Sequence, residues 1–413
     1  RHKDARFRHT SYVTVVTTPM RISRLRTVRL VGPDPHGLGA PRTWSILLVR
    51  VDADDGNYGL GEATDLPGTR QALARVEPQL VGRDPLEIRP IVREILYGAL
   101  PPREPSMSQT AVSSGPVAWA AAGVEIALHD LVGKALGVPV HALLGGAYRR
   151  EIRVYLDRSG PHRPEQLEAW ADLGADASAR GFSSLKFDAE YVAPDLTDDV
   201  WNRSASRAQI RAIVERIGAV REAVGPDVAL AIDCHMHYTA PTAIALAEAL
   251  APLDLTWLED PVPLANPDAL AYVRSRSPIA ICAGEMFGPE QARLFIDHGA
   301  CDVLHPDICF AGGLTATRQI ADYADLHYLP VALHNNGCAL GTIAAAHLAA
   351  SIPTFVGLEY HFADAEWIGA VVTRRRPLFE DGCVHLDDAP GFGFELNEDV
   401  CTRHLAPGET LFD

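Results

Sequence analysis

The sequence predicts an α/β protein in which a closed parallel barrel of strand–helix units follows an N-terminal α+β domain. Three observations carry that prediction. Beyond residue 146, an apolar strand, a polar loop and an amphipathic helix recur in order, with strand ends near Leu156, Asp188, Asp233, Glu259, Glu285, Asp307, His334 and Glu359. From Asp233 onward these ends lie 22 to 27 residues apart, the length that one strand, one helix and two short loops occupy. Before residue 146 the order is different, with strands first and helices after them. Periodicity alone leaves an open doubly wound sheet as the alternative.

Taken in order, residues 1–19 are a Thr- and Arg-rich extension, and Met20 opens the first patterned strand. In residues 20–146, apolar runs over Ile22–Val31 and Trp44–Val51 read as strands separated by the turn-rich Gly32-Pro33-Asp34-Pro35. Helical periodicity then extends from Arg70 to Leu96. A Pro/Ser-rich loop, Pro101–Gly115, precedes a strongly apolar helix from Pro116 to Leu136, stopped by Gly137 and Pro139. The barrel is assigned to residues 147–370, and the short strands and turns of 371–413 are expected to return to the first domain.

Composition narrows the function. Of 413 residues, 47% are hydrophobic and 22% charged, which excludes a largely disordered chain. The net charge of −16 opposes nonspecific binding to nucleic acid or an anionic membrane. Seven cysteines, odd in number and without a zinc-ligand spacing, suit a reduced cytoplasmic protein. No 18-residue uncharged apolar run and no signal-like N-terminus points to a membrane or to export. Among the 37 basic residues only Lys3, Lys134 and Lys186 are lysines, which makes a lysine inside a strand conspicuous.

In a parallel barrel the chemistry stands where strands run into the following loops. Three consecutive strands end there in carboxylates, Asp233, Glu259 and Glu285. Each alone reads as a helix cap or a solvated acid. Together they repel one another unless a cation lies between them, and all-oxygen ligands suit Mg2+. Continued strand alternation would set His235 and His237 on the face of Asp233. A His-x-His pair also fits half of a dinuclear zinc site of the amidohydrolase type, although the next two strands end in Glu. Asp307 and His334 end neighbouring strands, where an aspartate can fix the tautomer of an imidazole base. Lys186, within Ser183-Ser-Leu-Lys-Phe-Asp, must meet an anion or lose its charge.

These residues together resemble the enolase superfamily, and more narrowly its mandelate racemase branch. The resemblance runs from Met20 onward through Gly59-Leu-Gly-Glu-Ala, Gly123-Val-Glu-Ile-Ala-Leu-His-Asp, Leu143-Leu-Gly-Gly, Glu259-Asp-Pro, Gly284-Glu, Pro306-Asp, Gly312-Gly-Leu-Thr and His334. It implies a capping domain over a modified (β/α)7β barrel with one irregular strand, and Mg2+ on Asp233, Glu259 and Glu285. It further implies removal of the proton α to a carboxylate by His334, oriented by Asp307. Glu359 would contact the substrate carboxylate in its protonated form, with a raised pKa. Racemases of the branch carry Lys-x-Lys on the second strand, whereas this chain has Lys186-Phe-Asp188, which leaves Lys186 to bind the carboxylate and Asp188 to bind a substrate hydroxyl. Asp233-Cys-His235 resembles acid-sugar dehydratases such as galactonate and mannonate dehydratase, in which a third-strand histidine protonates the departing hydroxyl.

The expectation is a Mg2+-dependent lyase that dehydrates a sugar acid to a 2-keto-3-deoxy acid, with catalytic His334, Asp307, His235, Lys186 and Glu359 and substrate-binding Asp188 and His237. Assembly into a homo-oligomer is expected from the resemblance. The alternatives are a racemase or epimerase of the same superfamily, a zinc hydrolase, and a noncatalytic carboxylate binder. Specificity is expected in the loops Val31–Pro41 and Ala63–Gln71, where Arg42 or Arg70 meets a distal carboxylate or simply faces solvent.

Overall fold

The computed structural model describes residues 20–34, 43–98, 114–161, 163–189, 201–361 and 365–412. The extension 1–19, Arg42 and most of the Pro/Ser-rich loop lie outside the described residues. The first domain is an antiparallel meander of β1 (Ile22–Pro33), β2 (Thr43–Ala53) and β3 (Tyr58–Ala63). It packs against α1 (Thr69–Leu80), α2 (Ile88–Gly98) and α3 (Pro116–Leu136). Alternation along β2 sends Leu47, Val49 and Val51 into a core shared with Leu73, Val76, Ile91, Val124 and Leu128. The periodic stretch from Arg70 to Leu96 is two helices, because Gly82 adopts φ 83 just past the end of α1 and Pro85 follows it before α2 begins.

Helix α3 is buried over most of its length, which explains why its sequence is apolar on all sides rather than along one stripe. It lies so close to β3 that a Cβ on Gly59 would come within 2.0 Å of the Ala127 carbonyl oxygen, and one on Gly61 within 2.2 Å of that of Gly123. The Gly59-Leu-Gly pattern is therefore a packing requirement.

Eight strands form the barrel: β4 (Glu151–Asp157), β5 (Ser184–Asp188), β6 (Ala229–Asp233), β7 (Trp257–Glu259), β8 (Ile281–Ala283), β9 (Val303–Leu304), β10 (Val331–Leu333) and β11 (Phe355–Tyr360). They pair in sequence order, and parallel pairing of Leu358 with Val154 closes β11 onto β4. Closure excludes the open sheet. Seven helices follow the first seven strands: α4 (Leu167–Ala179), α5 (Arg207–Val224), α6 (Ala240–Leu250), α7 (Pro267–Arg276), α8 (Pro289–Asp297), α9 (Leu314–Leu326) and α10 (Ala339–Ala350). After β11 the described chain has only two short helices, Glu366–Gly369 and Glu398–Arg403, and neither leads into a further barrel strand, so the architecture is (β/α)7β. Every barrel ladder is parallel, and the irregularity among them lies in β11, whose register with β10 shifts between Val331–Phe355 and Ala332–Gly357.

Tyr155, Ala231, Trp257, Cys282, Val303 and Ala332 fill the interior. Lys186, Asp233 and Glu259 belong to the same inward set, nearer the C-terminal ends of the strands. The C-terminal segment adds β12 (Val372–Arg374), β13 (Cys383–His385) and β14 (Phe394–Leu396), with β13 antiparallel to β4. It also reaches the first domain, where Val31 N donates to the His404 carbonyl at 2.7 Å and Ala406 N to that of Arg29 at 2.9 Å. All seven cysteines are free thiols. Among the described residues no helix is long and apolar enough to cross a membrane.

Candidate active site

A cavity of about 340 Å³ opens at the C-terminal mouth of the barrel, lined by Asp157, Ser159, Lys186, Asp188, Asp233, His235, Glu285, Phe310, His334, Asn336 and His361, with Asp34 and Trp44 from the first domain. Lys186 is its electrostatic centre. Alternation along β5 turns this side chain inward, where it is 1% exposed. Its ammonium lies 3.2 Å from Asp157, 3.3 Å from Asp233, 2.5 Å from Glu259 and 2.6 Å from Glu359. Burial would strip its charge, but these carboxylates more than offset that and hold its pKa well above the usual lysine value.

Opposite stands the pair predicted from neighbouring strand ends. Asp307 and His334 are joined by a parallel bridge, and His334 Nδ1 meets Asp307 Oδ2 at 2.7 Å. Asp307 Oδ1 accepts from Cys309 N at 2.5 Å, which fixes the carboxylate plane. With Nδ1–H directed at Asp307, Nε2 faces Glu285 at 3.3 Å and Glu359 at 3.7 Å. Burial lowers the pKa of His334, yet Glu359, Asp307 and Glu285 raise it to about 10, so the ring is an imidazolium in this arrangement.

The three predicted metal ligands occupy successive strand ends, with Asp233 in register with Glu259 and Glu285 on the loop after β8. Glu259 Oε2 accepts from Trp257 Nε1 at 2.8 Å. Burial and the nearby Asp233 raise its pKa well above the usual range. Asp233 is also buried, but His235 and Lys186 pull its pKa below the ordinary value. Asp188, Asp233 and His235 bring ligand atoms within 4.8 Å of one another, while Glu285 stands beside His334. In all, six carboxyl groups, Asp157, Asp188, Asp233, Glu259, Glu285 and Glu359, surround a single ammonium. A cluster so rich in buried oxygen donors fits a hard dication.

Two expectations are corrected. His237 does not reach the cavity: β6 ends at Asp233, His235 and Met236 take φ 43 and 59, and the chain leaves the alternation that would have kept His237 inward. Its ring instead packs edge-on against Tyr238, 5.2 Å between centroids. His235, on the strained turn, is 41% exposed and 3.4 Å from Asp233. For Glu359 the surroundings run opposite to the expected raised pKa. Glu359 is 0% exposed. Tyr155 OH and Asn335 N both donate to its Oε2 at 3.3 Å. Burial favours the neutral acid, but Lys186, His334 and His361 outweigh it and hold the carboxyl well below its usual pKa.

Asp157 and His361 are cavity residues absent from the sequence reading. Asp157 is the last residue of β4, one beyond the strand end placed at Leu156, and burial raises its pKa to about 6 against the pull of Lys186 and His361. His361 Nε2 lies 3.3 Å from Glu359. The alternating pattern of β4 could have flagged Asp157, whereas His361 follows its strand with no motif of its own. Arg70 is engaged at the surface by Glu409 at 2.8 Å.

Comparison with known proteins agrees with this architecture. Residues 23–145 match the family described as mandelate racemase / muconate lactonizing enzyme, N-terminal domain, and residues 169–400 the enolase C-terminal domain-like family. The chain is 38% identical to a D-xylonate dehydratase of Haloferax volcanii over 371 residues, covering 89% of this chain and 87% of that one. It is 31% identical to a D-mannonate dehydratase of Sphingomonas sp. over 385 residues, covering 87% and 91%. A crystal structure of a mandelate racemase/muconate lactonizing enzyme-like protein from Rubrobacter xylanophilus superposes with a TM-score of 0.86 at 34% identity, covering 96% of this chain and 100% of that one.

Proposed function

The chain belongs to the mandelate racemase/muconate lactonizing enzyme branch of the enolase superfamily, and from that premise we propose that it is a Mg2+-dependent sugar-acid dehydratase. The single observation that carries this reading is a potential base, His334 on Asp307 at 2.7 Å, facing a cavity that also holds a buried ammonium and a second histidine, His235. The relatives named as D-xylonate and D-mannonate dehydratases support the substrate class.

Asp233, Glu259 and Glu285 would hold Mg2+, which when bound supplies Lewis-acid stabilisation of the charge that develops on a substrate carboxylate as its α proton leaves. Lys186 contributes a fixed positive charge to the same carboxylate. His334 acts through Nε2, since Asp307 takes Nδ1–H. The base must be neutral, so the carboxylate charge that now holds it as an imidazolium has to be engaged by something other than His334. With the Glu359 charge, the larger influence, engaged by Lys186 and that of Glu285 neutralised as well, neutral Nε2 takes the C2 proton, the C2–C3 double bond forms, and the C3–O bond breaks. His235 gives its proton to the departing hydroxyl, which leaves as water, and the enol tautomerises to a 2-keto-3-deoxy acid. Glu359, ionised and buried, orients Lys186 rather than touching substrate.

The test is keto-acid formation from D-xylonate, D-mannonate and D-galactonate. Wild type should convert at least one, EDTA should stop it and Mg2+ restore it, and His334→Asn should lose about 1,000-fold or more, at the scale of general-base catalysis. Undiminished turnover by His334→Asn would overturn the assignment. A return of epimerised substrate without keto acid would favour the epimerase reading.

A further inference from the structure

The two barrel helices that follow the His334–Asp307 pair lack side-chain caps of their own. Helix α9 begins after Gly313 and α10 after Cys338, and neither residue's side chain accepts a cap hydrogen bond. Their exposed N–H groups are satisfied from the first domain. Glu125 of α3 accepts from Leu314 N at 2.5 Å and Thr315 N at 2.8 Å, in the first turn of α9. Glu62 of β3 accepts from Cys338 N at 2.9 Å, from Gly341 N at 2.9 Å and from Cys338 Sγ at 3.0 Å, at the start of α10. A carboxylate at a helix N-terminus also complements the helix dipole.

The residues that Glu62 contacts lie close in sequence to the base and to its partner. Only Asn335, Asn336 and Gly337 separate His334 from Cys338. The Glu62 carbonyl also accepts from Cys309 Sγ at 3.6 Å, and Cys309 is the residue whose N–H fixes Asp307. The contact is sterically committed as well, since a Cβ on Gly341 would fall 2.8 Å from Glu62 Oε2. Asn335 N bonds Glu359 at 3.3 Å, so the turn after His334 is pinned at one end by the barrel and at the other by Glu62.

We propose that Glu62 is a positioning residue for the His334–Asp307 pair, fixing the turn that carries the base so that docking of the first domain and assembly of the base are one event. This rests on the reading of His334 as the base. Stability of the first domain and its attachment to the C-terminal segment is a separate property and has its own marker. Asp130 of α3 makes comparable contacts on another face, accepting from Leu60 N at 2.9 Å, Phe392 N at 3.0 Å and Lys134 at 2.7 Å.

The experiment compares full-length wild type with Glu62→Ala, Glu62→Gln and Asp130→Ala. Amide hydrogen exchange over residues 335–341 reads the turn directly, and exchange of the C2 proton of D-xylonate in D2O reads the base. Glu62→Ala should lose protection in 335–341, with kcat lower by about 10- to 100-fold and KM within about threefold, as expected when a base is misplaced rather than binding lost. Glu62→Gln, which keeps an acceptor oxygen at the same reach, should stay within about threefold of wild type. Asp130→Ala should lower the melting temperature but not kcat. Protection of 335–341 unchanged in Glu62→Ala would overturn the proposal, as would equal kcat losses in Glu62→Ala and Asp130→Ala. A wild type inert toward the acid would count against the dehydratase reading, while the amide measurement still decides the role of Glu62.

Discussion

Lys186 is the residue on which most of the site's electrostatics depends, and its removal should be felt in the fold as well as in activity. Lys186→Met would leave Asp157, Asp233, Glu259 and Glu359 without their common counter-ion, and without added Mg2+ it should cost about 3 to 5 kcal/mol in urea unfolding. An unfolding midpoint equal to wild type would show that the carboxylates find relief elsewhere. Lys186 was legible because a rare lysine stands inside a strand, Asp188 because the resemblance drew attention to Lys186-Phe-Asp188, and His235 because strand alternation carries the face of Asp233 onward. His237 was misplaced by the same rule, since nothing in Cys-His-Met-His announces two consecutive left-handed residues. The state of Glu359 was illegible for a different reason. Its charge follows from an ammonium 2.6 Å away on a strand more than 170 residues earlier, and ordinary family chemistry suggested the opposite protonation. Asp157 and His361 were missed because a strand end is uncertain by a residue or two, which at a barrel mouth is the difference between wall and cavity.

Among the elements, β3 and α3 hold the first domain to the barrel. Gly61→Ala forces a methyl group against a backbone carbonyl that α3 cannot withdraw without shifting, so it should destabilise the protein by at least about 1 to 3 kcal/mol, the usual cost of overpacking. Gly56→Ala is the comparison for open space, since nothing lies within 4 Å of a Cβ there, although its φ of 89 adds backbone strain of its own. Equal stability of Gly61→Ala and wild type by denaturant titration would mean that the helix and strand are not locked at this spacing. The sequence showed Gly59-Leu-Gly-Glu-Ala as a motif of the resemblance but not its purpose. Only the approach of α3 explains the glycines, and only the start of α10 explains the glutamate. The barrel strands from β6 onward were legible because each ends in a polar residue at a regular interval. The break between α1 and α2 was not, because apolar positions continue at helical spacing across Gly82.

At the scale of the whole molecule, a chain of net charge −16 also has an acidic cavity, with several carboxylates around the single ammonium of Lys186, so on the proposed reading an anionic substrate depends on the dication those carboxylates would hold and not on the overall balance. Its acid stability has an identifiable contribution from a buried pair away from the cavity. His347 Nδ1 accepts from His141 N at 3.1 Å and faces His141 Nδ1 at 3.2 Å, and burial holds its pKa down to about 3. Between the ordinary value of 6.5 and about 3 the unfolded chain binds this proton and the folded chain does not. Stability should therefore fall as pH drops through that window, by up to about 1.4 kcal/mol per pH unit from this site. The difference between wild type and His347→Gln in unfolding free energy at pH 7 and pH 5 isolates it, and a pH-independent difference would contradict the assignment. The central claim, that His334 removes a proton α to a carboxylate and His235 then expels a hydroxyl, is tested most directly by proton NMR of D-xylonate with wild type and His235→Asn in D2O. The account predicts keto acid from wild type and, from His235→Asn, loss of the C2 proton signal with little keto acid; retention of the C2 proton by His235→Asn while keto acid still accumulates from wild type would contradict it.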